Sequence, residues 1–451
     1  MHIHILGIGG TFMSALAILA KQKGYHITGH DTACYPPISD LLQAHDIDYV
    51  EGYDDLGLML QADEVVVGNA MKRGIPIVEA LLNHGKHYVS GPEWLAREVL
   101  AHYKVLAVCG THGKTSTSTI IAYILSEAGL KPSYLLGGVP QVLPANAKMD
   151  EGEWFVIEAD EYDTAFFDKR PKFMHYRPQG VVMHNLEFDH ADIYDSLSAI
   201  QKQFHYLLRT VPNQGWVVRP EVDAGIDGAM QMGVYSLLTR WGYSQHADAQ
   251  LLQVAADGSA FTLQSMMQSA RVEWSLLGMH NVENACAAMI ACQKLGVSLE
   301  QSAKILATYQ PVKRRLEVCL SQPDLTVYDD FAHHPTAIRR ASQAVALSGK
   351  HQRLLAILEF GSNSMRGGHH LQHIGEALQY VDELYVVKAK DFDIHAESTS
   401  WPCRVHVFEH VDALVEQIIQ DRQPKDAILM MSNKGFDQLK KKLLEQLQVH
   451  V

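Results

Sequence analysis

The segment 110–115, GTHGKT, joins an apolar run at 104–109 to a second apolar run that begins after Ser116. In this setting the N–H groups of the loop and the positive end of a following helix can hold phosphate oxygens. Lys114 can reach β- and γ-phosphates, and the Thr115 hydroxyl can bind Mg²⁺. The full phosphate-loop pattern has a glycine where this chain has Val108, so the loop is a shortened variant, and a glycine-rich turn before an unrelated helix is the alternative. The candidate phosphate ligands are Gly110, Thr111, His112, Gly113, Lys114, Thr115 and Ser116.

Acidic residues and histidines follow two further strand-like segments, at 158–161 (EADE) and 184–192 (HNLEFDHAD). The carboxyl ends of parallel strands meet at one edge of a sheet, where open α/β sheets bind ligands. Mg²⁺ prefers oxygen ligands and retains several waters, so Thr115, Glu158 and His190 form a candidate metal set. Because imidazole also suits zinc and iron, a transition-metal hydrolase is the chemical alternative.

Glycines also follow the first strand-like segment, at Gly7, Gly9 and Gly10. The dinucleotide pattern needs a third glycine where this chain has Phe12, which weakens the expectation of a redox cofactor. A diphosphate can still bind against the next helix, with Asp31 placed to meet a ribose or another polar group of the same ligand. Two alternatives stay open, a glycine turn that binds nothing and an NAD-dependent oxidoreductase.

Strand and helix patterns place these segments in three successive α/β units. The first, residues 1–102, is Rossmann-like; the second, 103–311, has a parallel sheet of the P-loop ATPase type; the third, 312–451, is again Rossmann-like. The candidate phosphate loops then lie where a strand turns into a helix. The stretch 211–273 is turn-rich with alternating segments, and an antiparallel extension of the second sheet is one interpretation of it.

Composition narrows the class of partner. The 451 residues are 47% apolar with a net charge of −13, which is typical of a folded chain with little affinity for nucleic acid or anionic membranes. The six cysteines are scattered, and we find no basic leader and no apolar window near the about 18 residues that span a bilayer. We therefore expect a cytoplasmic protein that acts on small molecules.

Five ordered motifs, spread over nearly the whole chain, resemble the Mur ligases: GIGGT at 7–11, GTHGKT at 110–115, EADE at 158–161, GMHNVEN at 278–284 and DDFAHHP at 329–335. The resemblance implies an ATP-dependent ligase of peptidoglycan metabolism that uses Mg²⁺. Such an enzyme activates UDP-N-acetylmuramate as an acyl phosphate, forms an amide, and releases ADP and phosphate.

The resemblance also implies a role for each matching residue. Lys114 is expected on the ATP phosphates, Arg315 reaches phosphate from the domain junction, and His280 and Asn284 lie by the ribose and adenine. The implied UDP-sugar ligands are Gly7, Gly9, Gly10, Thr11, Asp31 and Asn69, and the implied metal ligands are Thr115, Glu158 and His190. The implied catalytic set is Lys114, His190, Lys202 and Asp330, with His190 or Asp330 as the base. Lys202 matches a lysine that some members carbamylate to bridge a second metal. The implied peptide ligands are His333, Ser362, Asn363 and Arg366, although His333 and His334 could simply form the turn before Pro335.

Within the family, the segments 68–71, 166–170, 186–192 and 201–204 most resemble the branch whose amine substrate is L-alanyl-γ-D-glutamyl-meso-diaminopimelate, in murein recycling. The branch that adds L-alanine in de novo synthesis is the near alternative. A nucleotide-sugar binding protein with a degenerate ATP site is an alternative of another class. Two departures from the pattern fall in the third unit, Gly361 in place of an arginine, for which Arg366 is a candidate substitute, and Lys434 in a glycine-rich segment.

Overall fold

The computed structural model describes residues 1–190, 193–361, 371–388 and 398–449, together with Met365 and Ile394. These residues form three α/β units, each around its own mainly parallel sheet, as the sequence predicts. No helix in the described part of the chain is long and apolar enough to cross a membrane. All six cysteines are free thiols.

The first unit is an open sheet of five parallel strands with helices between them. The strands are β1 (His2–Leu6), β2 (His26–Asp31), β3 (Asp48–Glu51), β4 (Glu64–Val67) and β5 (Tyr88–Ser90). The helices are α1 (Thr11–Gln22), α2 (Ile38–Ala44), α3 (Gly57–Gln61), α4 (Pro76–Asn83) and α5 (Gly91–Glu98), followed by a 3₁₀ turn, Leu100–His102. The spatial order β3–β2–β1–β4–β5 reverses between β1 and β4, so the glycine loop after β1 opens at the crevice where such sheets bind ligands.

The central sheet has ten strands. They are β6 (Lys104–Cys109), β7 (Ser133–Leu135), β8 (Ala147–Lys148), β9 (Trp154–Glu158), β12 (Gly180–Met183), β13 (Trp216–Pro220), β14 (Leu237–Gly242), β15 (Ala249–Leu252), β16 (Ala260–Ser265) and β17 (Gln268–Glu273), while β10 (Asp163–Ala165) and β11 (Asp168–Pro171) form a separate hairpin. Helices α6 (Lys114–Glu127), α7 (Leu197–Thr210), α8 (Ala224–Gln231), α9 (Met279–Lys294) and α10 (Leu299–Leu306) accompany them, with a 3₁₀ turn at Lys172–His175. Strand β6 lies between β12 and β9, all parallel, so the loops that follow these three strands meet at one edge.

The stretch 211–273 does form an extension of this sheet, although only part of it is antiparallel. Strands β13, β14 and β15 add in parallel to the β12 edge, and β16 and β17 then run antiparallel.

The third unit is a six-stranded sheet in the order β18–β19–β23–β20–β21–β22, in which only the β18–β19 pair is antiparallel. Its strands are β18 (Glu317–Gln322), β19 (Leu325–Asp330), β20 (Arg353–Leu358), β21 (Glu383–Val387), β22 (Arg404–Phe408) and β23 (Asp426–Met431). Its helices are α11 (Pro335–Leu347), α12 (Leu371–Ala377), α13 (Val411–Asp421) and α14 (Leu439–Val449), with a 3₁₀ turn at Phe436–Gln438.

The three units contact one another through specific side chains. An apolar core extends from α1 into the central sheet, and the Met149 N–H donates to Gln22 Oε1 at 2.8 Å. On the other side, Arg340 of α11 donates to Glu283 Oε2 of α9 at 2.6 Å. The central unit therefore holds both of its neighbours.

Candidate active site

The phosphate-loop candidate leaves β6 at Gly110 and enters α6 at Lys114. Gly110 and Gly113 have φ values of +132° and +83°, which favour glycine. Space also requires glycine, because a Cβ at Gly113 would lie 2.3 Å from His184 Cδ2 and 2.5 Å from Asn284 Oδ1. The loop can therefore take this path only with its two glycines.

The segment after β12 fastens this loop from the side. Asn185 Oδ1 accepts the His112 N–H at 2.8 Å, and Asn185 Nδ2 donates to the His112 carbonyl at 3.0 Å. The Thr111 N–H donates to the Asn185 carbonyl at 2.9 Å, and the Thr111 hydroxyl accepts the Glu187 N–H at 2.9 Å. These paired bonds hold the loop backbone in place.

Lys114 begins α6 and turns its ammonium back toward the loop and the acids after β9. Its Nζ lies 2.8 Å from Glu161 Oε2 and 2.8 Å from the Gly110 carbonyl. Burial alone would lower the pKa of Lys114, because it disfavours the charged ammonium. The nearby carboxylates have a larger effect in the opposite direction and raise that pKa above its usual value; they belong to Glu161, Asp160 and Glu158. The side chain is therefore a fixed cation at neutral pH.

Thr115 and Glu158 form an oxygen-rich pair beside Lys114. The Thr115 hydroxyl donates to Glu158 Oε2 at 2.7 Å, and the Gly137 N–H donates to the same oxygen at 3.0 Å. Burial raises the pKa of Glu158, against the lowering effects of Lys114 and the Thr115 hydrogen bond. A buried hydroxyl and a partly buried carboxylate that already share one position are the hard oxygen donors that suit Mg²⁺.

His190 has a φ of +57°, which is uncommon for a residue other than glycine and marks a position that its surroundings fix. Its N–H donates to Asp189 Oδ1 at 2.7 Å, and its Nε2 lies 3.1 Å from Glu161 Oε1. Burial lowers the pKa of His190, but Glu161 and Asp189 more than offset this and raise it. The imidazole therefore pairs with Glu161, which also pairs with Lys114.

Lys114, Thr115, Glu158 and His190 line a cavity of about 380 Å³ between the central and third units. The cavity brings together most of the predicted nucleotide, metal and catalytic residues, namely Thr111, His112, Gly113, Lys114, Thr115, Ser116, Glu158, His190, His280, Asn284, Arg315, Asp330 and His333. Gly110 shapes the loop without lining the cavity wall.

His280 and Asn284 lie on the first two turns of α9 and line this cavity. Burial, and then the cations Arg340 and Arg315, lower the pKa of His280 to about 3, so its imidazole is neutral. His280 Nδ1 is buried without a hydrogen-bond partner among the described residues, and Asn284 Oδ1 accepts the Thr117 hydroxyl at 3.2 Å. A neutral ring with an unused polar atom is suited to a nucleoside.

Asp330 ends β19 where the third unit faces the cavity. Its two oxygens accept the N–H groups of Leu316 at 2.7 Å and Ala332 at 2.8 Å. Burial raises the pKa of Asp330 to about 6, although the nearby Arg315 acts in the opposite direction. The Arg315 guanidinium stacks over the Phe331 ring at 5.1 Å, which orients it at the junction of the two units.

The two histidines after Phe331 do different things. His333 lines the cavity, and its Nδ1 lies 2.9 Å from the Phe331 carbonyl, which can only accept, so Nδ1 carries the proton of the neutral ring. His334 caps α11, since its Nδ1 accepts the Thr336 N–H at 3.3 Å, and Pro335 opens the helix. His334 therefore takes the turn-forming role, although it also lines the cavity.

His112, Glu187 and His334 bring their ligand atoms within 4.8 Å of one another, across the central and third units. The Thr336 hydroxyl donates to Glu187 Oε2 at 2.7 Å, and the Thr336 N–H uses the His334 lone pair. Burial raises the pKa of Glu187, but the hydrogen bonds from His112 and Thr336 and the charge of His112 act in the opposite direction and help to lower it to about 2. The cluster is a hydrogen-bonded contact between units, and its imidazole and carboxylate donors are the ones a transition metal would use.

A second cavity, of about 550 Å³, opens at the reversal point of the first sheet. Its lining includes every predicted sugar ligand, namely Gly7, Gly9, Gly10, Thr11, Asp31 and Asn69. Asp31 Oδ2 accepts the Gly9 N–H at 2.8 Å, and Asp31 Oδ1 accepts the Thr32 N–H at 2.7 Å. Asp31 thus shapes the glycine loop as well as facing the cavity.

The two cavities meet at the acids after β9. Glu158, Asp160 and Tyr162 line both of them. Lys172 lines the second cavity and pairs with Asp160 at 2.8 Å. Burial raises the pKa of Asp160, but Lys172 and Lys114 more than reverse this and hold it below its usual value.

The structure does not bring Lys202 to either cavity, against the expectation of a catalytic or carbamylated lysine. Its side chain is exposed on α7, with the ammonium 6.0 Å from the centre of the Tyr206 ring. Helix α7 buries the face that carries Phe204, Leu207 and Leu208, and Lys202 lies off that face.

Three of the predicted peptide ligands lie outside the described residues, namely Ser362, Asn363 and Arg366. The two departures from the family pattern lie against each other. A Cβ at Gly361 would be 2.7 Å from Asn433 Oδ1 and 3.4 Å from Lys434 Cδ. Gly361 therefore leaves room for the side chains of Asn433 and Lys434, and the two departures are neighbours in the structure.

Sequence reasoning missed four residues that the fold places at the site, namely Asp160, Glu161, Lys172 and Glu187. Asp160 and Glu161 stand in the same motif as Glu158, and Glu187 stands in the motif of His190, so each motif carried more ligands than were assigned. The residues next to Lys172 in the sequence give no indication of a binding role, because the β10–β11 hairpin is what brings Lys172 back toward Asp160.

Known protein families match nearly the whole chain. Residues 2–103 match the Mur ligase family catalytic domain, residues 108–292 the Mur ligase middle domain, and residues 314–434 the Mur ligase glutamate ligase domain.

Individual relatives are similar over 76% to 99% of this chain. The chain is 44% identical to the UDP-N-acetylmuramate--L-alanyl-gamma-D-glutamyl-meso-2,6-diaminoheptandioate ligase of Escherichia coli (strain K12), over 99% of this chain and 98% of that protein. It is 34% identical to the UDP-N-acetylmuramate--L-alanine ligase of Paenarthrobacter aurescens (strain TC1), over 76% and 73%. Among solved structures, a murein peptide ligase from Psychrobacter arcticus 273-4 superposes with a TM-score of 0.79 at 38% identity, over 99% of this chain and 98% of that one.

Proposed function

This chain belongs to the Mur ligase family, and on that premise we propose that it joins UDP-N-acetylmuramate to L-alanyl-γ-D-glutamyl-meso-diaminopimelate, converting ATP to ADP and phosphate, in murein recycling. Sequence similarity supports the tripeptide over L-alanine as the amine substrate. The relative whose name gives the tripeptide is 44% identical over 99% of this chain, whereas the relative whose name gives L-alanine is 34% identical over 76%. We assign the sugar to residues 1–102, ATP to 103–311 and the amine to 312–451.

One observation carries the proposal. The cavity at the phosphate loop and the cavity at the first glycine loop meet at Glu158, Asp160 and Tyr162. A triphosphate in the first and a sugar nucleotide in the second can bring a γ-phosphate and a sugar carboxylate together at that junction.

The chemistry follows from the weakness of a carboxylate as an acylating agent. A carboxylate oxygen attacks the γ-phosphorus in line, the bond from that phosphorus to the β–γ bridging oxygen breaks, and ADP leaves, so that the sugar acid becomes an acyl phosphate. The peptide amine then attacks the acyl carbon, and phosphate leaves with that carboxylate oxygen. We assign Lys114 to neutralise the transferring phosphoryl group, because phosphoryl transfer depends mainly on positioning and electrostatic stabilisation.

Thr115 and Glu158 are the residues we assign to Mg²⁺, because they already share one oxygen-rich position. When bound, Mg²⁺ supplies charge neutralisation at the phosphate oxygens. His190 is the third residue that we assign to Mg²⁺. In the structure its Nε2 pairs with Glu161.

The attacking amine must lose a proton, and Asp330 is the better of the two candidate bases. A carboxyl with a pKa of about 6 that lines the cavity is mostly ionised at neutral pH and can accept that proton. The pKa of His190 is raised by Glu161, which keeps more of its imidazole protonated.

The test is phosphate release from ATP, Mg²⁺ and UDP-N-acetylmuramate with either the tripeptide or L-alanine as acceptor. We expect release that depends on the acceptor, with the tripeptide preferred. Preference for L-alanine would move the chain to the other branch. Binding of the sugar nucleotide with no release for either acceptor would favour a binding protein with a degenerate ATP site.

A further inference from the structure

Lys172 is a buried cation that the chemistry above leaves without a role. It begins the 3₁₀ turn after the β10–β11 hairpin and is only 8% exposed. Its Nζ lies 2.8 Å from Asp160 Oδ2, and 5.5 Å and 5.8 Å from the ring centres of Phe12 and Tyr162. It stands between the first glycine loop and the acids shared by the two cavities.

The charges around the second cavity make this lysine stand out. Of the described residues that line it, Asp31, Glu158 and Asp160 carry carboxyl groups, and Lys172 is the one Lys or Arg. UDP-N-acetylmuramate brings a diphosphate and a carboxylate, which are all anionic. Burying such a ligand among carboxylates needs a compensating cation. An ammonium has three donors, and the contact with Asp160 uses one.

The position of Lys172 selects one of the two anionic groups. The diphosphate has the backbone N–H groups of the glycine loop and the start of α1 available to it. Lys172 contacts Asp160, which lines both cavities, so it lies on the side where the sugar acid must meet ATP.

Resting on the proposed function, we infer that Lys172 holds the lactyl carboxylate of the sugar nucleotide at the junction of the two cavities. One carboxylate oxygen accepts a hydrogen bond from Nζ, and the other stays free to attack the γ-phosphorus. Lys172 is thus a substrate-positioning residue that selects a sugar bearing an acid.

Calorimetry without ATP tests this, with UDP-N-acetylmuramate and its neutral lactyl amide as the two ligands. The wild-type protein should bind the acid more tightly than the amide by about 10- to 100-fold, as expected for a hydrogen bond between charged groups. Lys172→Met should lose that preference while keeping its affinity for the amide, and Lys172→Arg should restore part of it. Lys169→Met, in the exposed β10–β11 hairpin, is the control that should change neither ligand.

Lys172→Met removes the cation that contacts Asp160 directly, so the double variant Lys172→Met/Asp160→Asn is the check on folding. It should fold and also bind acid and amide equally. The inference is wrong if Lys172→Met still prefers the acid to the amide. It is also wrong if the variant loses affinity for both ligands equally, a result that would indicate that Lys172 binds the diphosphate. A wild-type protein that binds neither ligand would instead contradict the proposed function itself.

Discussion

Lys114 illustrates how a single side chain is prepared for phosphoryl transfer. Its ammonium is buried, yet carboxylates keep it charged and backbone oxygens fix its position. A preorganised cation of this kind costs no rearrangement at the moment of reaction.

We expect Lys114→Met to lower kcat for ADP release by at least about 10²–10³-fold, the loss on removing one preorganised donor. UDP-sugar binding should survive, because the second cavity does not include Lys114. Lys104→Met is the matched control, since Lys104 begins β6, the strand that leads into the phosphate loop, but pairs with Glu153 at the surface. Near-normal turnover of the Lys114 variant would remove the phosphate-loop assignment.

Asp330 predicts a pH dependence. Its pKa is raised to about 6, so the carboxyl is protonated below that pH and cannot take the amine proton. With tripeptide saturating, kcat should rise with pH through about 6 and then level off. Asp330→Asn should lower kcat and abolish that rise, whereas Asp324→Asn, at an exposed turn, should leave the profile intact. A profile that is unchanged in Asp330→Asn would exclude this residue as the base.

Helix α6 depends on glycine at both ends, but for different reasons. Gly113 before it and Gly129 after it have φ values of +83° and +78°. A Cβ at Gly113 would collide with His184 and Asn284, whereas a Cβ at Gly129 would meet nothing within 4 Å.

The pair Gly113→Ala and Gly129→Ala therefore separates backbone strain from site geometry. Each should cost about 1–2 kcal/mol of stability for the left-handed backbone. Gly113→Ala should cost more than Gly129→Ala in thermal unfolding and should abolish ADP binding in calorimetry, while Gly129→Ala keeps it. Equal ADP affinity in the two variants would contradict the described loop.

The sequence predicts well the features that depend on residues close together in the chain. The strand-to-helix turn at 110–115, with Lys114 and Thr115 in register, follows from local spacing, and so does the three-sheet architecture. Lys172 could not be found this way, because its partner Asp160 is brought to it by a hairpin fold. The exposed position of Lys202 could not be predicted either, since a motif match does not say which face of α7 a residue occupies.

Across the whole molecule, the nucleotide cavity exists because two units close on it. Arg340 of α11 lines the cavity and donates to Glu283 of α9 at 2.6 Å. Arg340→Met should raise KM for ATP by about 10-fold, as expected for the loss of a charged hydrogen bond. Arg339→Met, the exposed neighbour on the same helix, should leave KM unchanged. An unchanged KM in Arg340→Met would mean that this contact does not help to form the site.

The proposed reaction requires ATP to activate the sugar acid as an acyl phosphate at the junction of the two cavities. UDP-N-acetylmuramate with ¹⁸O in its lactyl carboxylate tests this step in one turnover with ATP, Mg²⁺ and tripeptide. We expect one ¹⁸O atom in the released phosphate, because the attacking carboxylate oxygen leaves with it. Amide product formed with no ¹⁸O in phosphate would exclude the acyl phosphate.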